Sequence, residues 1–332
     1  MTPCDDFNLH PPIYCTIMSI LSVMTLPVNI LAIYCITRKS TRQMGPYKWF
    51  LLAYQSTSTT FDFSLTIVVL PVVFFPIPMG YADSMIARWL SLRTHVALCT
   101  IVITVAVLTT CIVALFLYRL HVVIPHNHFL NFGCRGHAYV ATTFAFIFYG
   151  PIIVCLAYIS PDQSEARKWV LTEYPCAELF VDAPRLHMYT GPSMTHLVAV
   201  GLGKGFIVTN IILCVIFLSF YFLGKNNHLS QRTKFMQKRF LIYLCVQAAV
   251  PTFSLLGPVI LILSSGASQL RQDLGSLIFF YSMAAHGFTS PLSVILCNDA
   301  YRASAVTFLK LNFVREKQIG IASASEQIGR QS

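Results

Sequence analysis

Charge is scarce in this chain, and acid is scarcer still. Only 11% of the 332 residues are charged, with 13 acids against 23 bases, whereas 55% are hydrophobic and the mean hydropathy is +0.65. No water-soluble fold of this length hides so much apolar surface, so the sequence is suited to lipid as its solvent. Catalytic motifs are missing too. There is no HExxH, no GxSxG and no P-loop, and Gly201-Leu202-Gly203-Lys204-Gly205 lacks the spacing and the following Ser or Thr that a phosphate cradle requires. His121, His126 and His128 lie close together in sequence but have no cysteine or carboxylate nearby. The expectation is therefore no enzyme, no catalytic residue, no cofactor and no metal. The net charge of +10 sits mostly between apolar runs, where it faces anionic headgroups, which argues for membrane lipid and against nucleic acid as a partner. The N-terminus has no basic region followed by a short apolar core and a small-residue cleavage site, so the first run reads as an uncleaved anchor.

What is present is a set of seven apolar runs, at about 13–36, 49–75, 95–118, 137–158, 197–223, 240–263 and 273–297. Each is near the roughly 20 residues that a helix needs to cross hydrocarbon. The expected fold is an all-α membrane protein, a seven-transmembrane helix bundle forming one domain over 1–332. An odd number of runs without internal repeat argues against the duplicated halves of many transporters. Orientation follows from the bases. Sixteen of the 23 fall after runs one, three and five or in the tail, among them Arg38, Lys39, Arg119, Lys225, Lys234, Lys238, Arg239 and Arg302. Bases in short loops stay in the cytoplasm, which predicts an N-terminus outside, a C-terminus inside and a cytoplasmic tail over 298–332. Tyr301, Ala305, Phe308 and Leu309 follow helical spacing, as in a short amphipathic helix on the inner membrane surface.

Within the bundle the informative residue is Asp62. It lies about 21 Å along the second run at 1.5 Å per residue, so its carboxylate must face the bundle interior, as a switch that rearranges or as a static packing bond. Asn29, Ser290 and Asn298 are the partners its depth suggests. His286, near the middle of run seven, is either a ligand contact or an interhelical histidine satisfied by a neighbour. Lys204, placed at the outer end of run five, would meet an acidic ligand or snorkel to the headgroups. Run seven has no lysine, which excludes a covalently bound retinal. Of the 11 cysteines, Cys4, Cys99 and Cys176 fall where an oxidising exterior is expected. A Cys99–Cys176 bridge would pin the long outer loop over the bundle mouth; the alternatives are a Cys99 that merely packs in its helix and a pairing that involves Cys4. At the opposite face Arg119 and the basic stretch 229–239, with Lys234, Lys238 and Arg239, form a surface for a cytoplasmic partner as well as a topology signal.

The stretch Ser230-Gln231-Arg232-Thr233-Lys234-Phe235-Met236-Gln237, continued by Gln247, Pro251 and Pro258, resembles the loop-to-helix-six signature of the nematode serpentine chemoreceptors of the Str superfamily. Met44-Gly45-Pro46-Tyr47-Lys48-Trp49-Phe50-Leu51-Leu52, with Asp62 and Pro71, and His286-Gly287 with Ser290, Tyr301 and Arg302 are similar to its classes H and I. The resemblance implies a G-protein-coupled receptor of chemosensory neurons, in the ciliary membrane, with a small-molecule ligand and a heterotrimeric G protein as partners. The alternatives are an ion channel or transporter that uses Asp62 in an intramembrane path and, behind it, a membrane enzyme. Leu117-Tyr118-Arg119 has no acid before the arginine, and Pro291 has no preceding Asn, so rhodopsin-like mechanism does not transfer.

Overall fold

A computed structural model describes residues 11–74, 77–125, 128–158, 162–183, 185–225, 230–257 and 272–308. Among the described residues the long helices are α1 (Pro12–Arg38), α2 (Tyr47–Phe63), α4 (Thr94–Val123), α5 (Gly133–Tyr158), α7 (Gly191–Lys225), α8 (Gln231–Pro251) and α9 (Gln272–Cys297). Shorter pieces are α3 (Met85–Trp89), α6 (Gln163–Glu173) and a final helix α10 over 299–308. Helices α1, α2 and α4 run in alternate directions. Tyr14, at the head of α1, donates to Pro71 beyond the foot of α2, and Arg119, near the end of α4, lies against Tyr47 at the start of α2.

Four of these helices are long and apolar enough to cross a membrane over their described residues: Pro12–Arg38, Thr94–Val123, Arg135–Val154 and Gly191–Lys225. Two of the others fall short for local reasons. Helix α8 starts with four bases, Arg232, Lys234, Lys238 and Arg239, and α2 stops after 17 residues.

The end of α2 departs from the expected helix over 49–75. A wider π-type turn runs Ser64–Val69, and Leu70 then takes a left-handed conformation with φ of 47°, which ends the helix. The chain becomes strand β1 (Pro71–Val73), pairs antiparallel with β2 (Met79–Ala82), and β2 pairs antiparallel with β3 (His187–Met188) from the long connection before α7. This small sheet closes one end of the bundle. Gly80 is required in it, because a Cβ there would stand 2.6 Å from the Val72 carbonyl oxygen. Ser84 caps α3 through a bond from the Ala87 amide, and Asp162 caps α6 through the Ser164 amide.

Away from the sheet, the bundle is closed by aromatic and aliphatic packing of Tyr54, Phe61, Leu108, Leu115 and Phe116, all buried. Helix α10 folds back beneath α1. Its Tyr301 is fully buried and shares a 2.7 Å hydrogen bond with Ser40, while Ala305 packs on Ala32 and Ile295. Phe308 is half exposed, and Leu309 lies outside the described residues.

Candidate functional site

Polar residues on three helices meet in the core because they recur at helical spacing. On α2, Gln55, Thr59 and Asp62 stand at i, i+4 and i+7, and on α9, His286 and Ser290 stand at i and i+4, so each set shares one helix face. Asn29 joins them from α1. Its Oδ1 accepts from Gln55 Nε2 and Thr59 Oγ1, both at 2.8 Å, and its Nδ2 donates to the Thr25 and Gly287 carbonyls, both at 3.0 Å. One amide thus ties α1, α2 and α9 together. Half a turn away, Tyr54 and Ser290 share a 2.8 Å hydrogen bond.

Asp62 is buried, and its partner is His286, with Nδ1 3.2 Å from Oδ1. This corrects the expectation of Asn29, Ser290 or Asn298. Asn29 is saturated by other groups, Ser290 faces Tyr54 and Ser58, and Asn298 lies past the end of α9, where its side chain accepts from the Ala300 amide. The approach is possible because residue 287 is glycine. A Cβ there would stand 2.8 Å from Asp62 Cγ and 2.9 Å from Oδ2. Asp62 Oδ2, His286 Nε2 and Gln55 Oε1 have no hydrogen-bond partner among the described residues. Buried atoms left without a partner cost stability, so this layer is held less tightly than its burial alone would suggest.

Arg119 forms the second focus. It is buried on α4, with Cζ 3.7 Å above the Tyr47 ring of α2 and 4.8 Å from the Phe240 ring of α8. No carboxylate pairs with it among the described residues, and its Nε has no acceptor there. Two aromatic faces take the place of a counter-ion, each worth about 2 kcal/mol when desolvated. A cavity of about 10 Å³, the room for one water, lies between α2, α8 and α9 and is lined by Tyr47, Leu51, Phe240, Gln247, Val294 and Tyr301.

The remaining basic candidates divide. Ser230 caps α8 by accepting from the Thr233 amide, which sets the helical start from which Lys234 and Lys238 project. Lys238 is exposed and Lys234 half-buried. Arg239 is engaged: it donates to Tyr243 at 2.6 Å and pairs with Asp299 at 2.9 Å, and Asp299 also holds Arg302 at 2.7 Å. Sequence reasoning missed Asp299, although it stands three residues before Arg302, a spacing that brings side chains together on a helix.

Two expectations fail at and near the sheet-bearing end. Cys99 is a free thiol whose Sγ lies 3.7 Å from His95 Nε2, while Cys176 is disulfide-bonded, so the two are not joined to each other. Cys99 sits in the second turn of α4 and turns to its own helix, toward the residue four places before it. Cys4 lies outside the described residues. Lys204 is not at the end of its helix either. Because α7 starts at Gly191, six residues before the apolar run, Lys204 lies deeper, donates to the Phe148 carbonyl of α5 and stacks 4.2 Å from the Phe148 ring.

Long apolar helices packed around a buried polar layer are the framework of a helical membrane protein, and the family match places it among the seven-helix receptors. Residues 10–311 match the family described as serpentine type 7TM GPCR chemoreceptor Srh, and the chain belongs to that family. It is 25% identical over 320 residues to Serpentine receptor class H-72 of Caenorhabditis elegans, a match that covers 90% of this chain and 85% of that protein. Between classes H and I, the signatures around Asp62, Ser230 and His286 therefore belong to class H.

Proposed function

We propose that the chain is a G-protein-coupled chemosensory receptor that binds a small ligand toward the sheet-bearing end of the bundle and passes the change to a heterotrimeric G protein at the basic end. The sheet-bearing end faces outward in this reading, residues 298–332 form a cytoplasmic tail, and the ciliary membrane of a chemosensory neuron is the site of action. Membership of the chemoreceptor family supports the receptor role. The observation that carries the mechanism is the continuity of named parts between the ends. The sheet grows directly from the turn that ends α2, the Asp62–His286 pair lies one helical stretch below, and Tyr47 at the start of the same helix holds Arg119. A ligand that favours one arrangement of α2 against α9 thereby biases both.

Two experiments test this reading. Tags at the two termini of the intact-cell receptor should label only at the N-terminus; a surface-exposed C-terminal tag inverts the orientation. A ligand screen with a second-messenger readout should find a small molecule whose response needs a G protein. A ligand-evoked current without G protein would favour an ion path through Asp62 instead.

A further inference from the structure

The sheet-bearing end contains a histidine cluster that the proposed signalling path does not use. His187 in β3 packs edge-to-face on Tyr189, with ring centroids 4.7 Å apart, and lies 5.5 Å from the His95 ring at the head of α4. His95 is itself held by two bonds. Its Nε2 donates to the Leu156 carbonyl at 2.8 Å, which leaves Nδ1 to accept from the Tyr189 hydroxyl at 2.9 Å.

Gln163, the first residue of α6, determines the state of His187. Its Oε1 accepts from the Met188 amide at 3.0 Å and its Nε2 donates to the Met188 carbonyl at 3.2 Å, so the backbone fixes which way the amide points. The same Nε2 faces His187 Nε2 at 3.4 Å, and that ring nitrogen must therefore accept. Flipping the glutamine offers no escape, because its NH2 would then oppose the Met188 N–H. We propose that His187 is an acid-sensitive latch of the cap: as neutral imidazole it accepts from Gln163 and holds β3 to α6 beside the head of α4, and as imidazolium it sets donor against donor and releases that contact.

The surroundings agree in sign. Burial, and next the nearby His95, lower the His187 pKa from the ordinary 6.5 to about 4. Among the described residues, the titratable groups that face His187 are His95 from α4 and Tyr189 just past its own strand; α6 contributes the neutral Gln163, and β2 contributes Gly80 across the strand pair. The closed latch is thus fully favoured above pH 6.5 and is lost as pH falls from 6.5 through 4. Release loosens the α6 side of β3, whose strand partner β2 is in turn paired with β1 at the end of α2. Action on external acid rests on the orientation proposed above.

Hydrogen exchange of the intact receptor in lipid nanodiscs tests the latch without relying on that orientation, because both faces share one buffer. After correction for intrinsic exchange chemistry, protection of the Met188 amide and of α6 should fall by about tenfold or more between pH 6.5 and 4, the size being reduced by partial exposure of the ring. His187→Gln, whose side-chain oxygen still accepts from Gln163, should abolish this change. Asp182→Asn, which removes the rim ion pair with Arg167, should leave it in place. Gln163→Leu is a second route if the first variant fails to fold: its β3 should be poorly protected already at pH 6.5. A pH-independent wild type, an unchanged transition in His187→Gln, or full neutral-pH protection in Gln163→Leu would each overturn the proposal.

Discussion

Asp62 and Arg119, two of the ionisable side chains buried in this bundle, are held in opposite ways. Asp62 meets a side chain of complementary chemistry, His286, at 3.2 Å across the α2–α9 interface, whereas Arg119 meets no acid among the described residues and lies between the rings of Tyr47 and Phe240. The first contact is directional and local: small displacements of α9 break it and leave a carboxylate stranded. The second is a stack of faces that tolerates sliding, so α8 can move past Arg119 while Tyr47 keeps hold of it. The difference teaches where strength and where motion are built in. In the proposed mechanism the pair near the sheet-bearing half secures the helices, and the arginine near the basic end lets one of them move.

The largest expected effect comes from breaking the pair on one side. His286→Phe leaves Asp62 buried without its partner and should lower stability by about 3–5 kcal/mol. Thermal unfolding of the purified receptor in nanodiscs measures this, and adding Asp62→Leu to the same chain should recover part of the loss. If the double variant is less stable than His286→Phe alone, the pair is not what holds these helices.

Gly287→Ala ranks next. The added methyl meets Asp62 within 2.8 Å, inside a packed layer, so a loss of about 1–3 kcal/mol and reduced surface expression are expected. Gly201→Ala, in open space on α7, serves as the control and should be neutral or slightly stabilising in the same assay.

Phe240→Leu keeps apolar volume but removes one ring face from Arg119. Its effect on stability should stay at about 1–2 kcal/mol, while ligand-independent G-protein activation rises at matched surface expression. A variant with unchanged basal activity would reduce Arg119 to packing alone. Lys204→Met is expected to be the mildest change, about 0.6–1 kcal/mol by thermal shift, because it removes one interhelical hydrogen bond and a ring contact with Phe148 while keeping the apolar packing.

The depth of Asp62 was legible because it needs only counting along an apolar run. Its partner was not. Which residue of α9 faces α2 depends on the rotation of that helix, and the three residues chosen by depth turned out to serve Gln55, Tyr54 and the Ala300 amide. The i, i+4, i+7 spacing of Gln55, Thr59 and Asp62 did carry the polar face and would have identified the Asn29 hub. Hydropathy also merged α2 with its strand, since a helix and a buried strand are equally apolar; Pro71 and the following Val72-Val73 were the local signs of the change. Lys204 was misplaced because the polar first turns of α7 do not register as an apolar run. The Cys99–Cys176 pairing failed because sequence separation says nothing about side-chain direction, and Cys99 turns to His95.

In the proposed mechanism the Asp62 layer and the Arg119 clamp are energetically coupled across the bundle. Basal nucleotide exchange on a panel of heterotrimeric G proteins, measured for Asp62→Asn, Phe240→Leu and the double variant at equal receptor density, tests it most directly. Asp62→Asn should change the exchange rate, and the two effects should combine non-additively, by a factor of about 2 or more, as residues that bias one shared equilibrium do. Effects that multiply independently, or an Asp62→Asn receptor whose basal exchange equals the wild type, would contradict it and leave Asp62 as a packing residue.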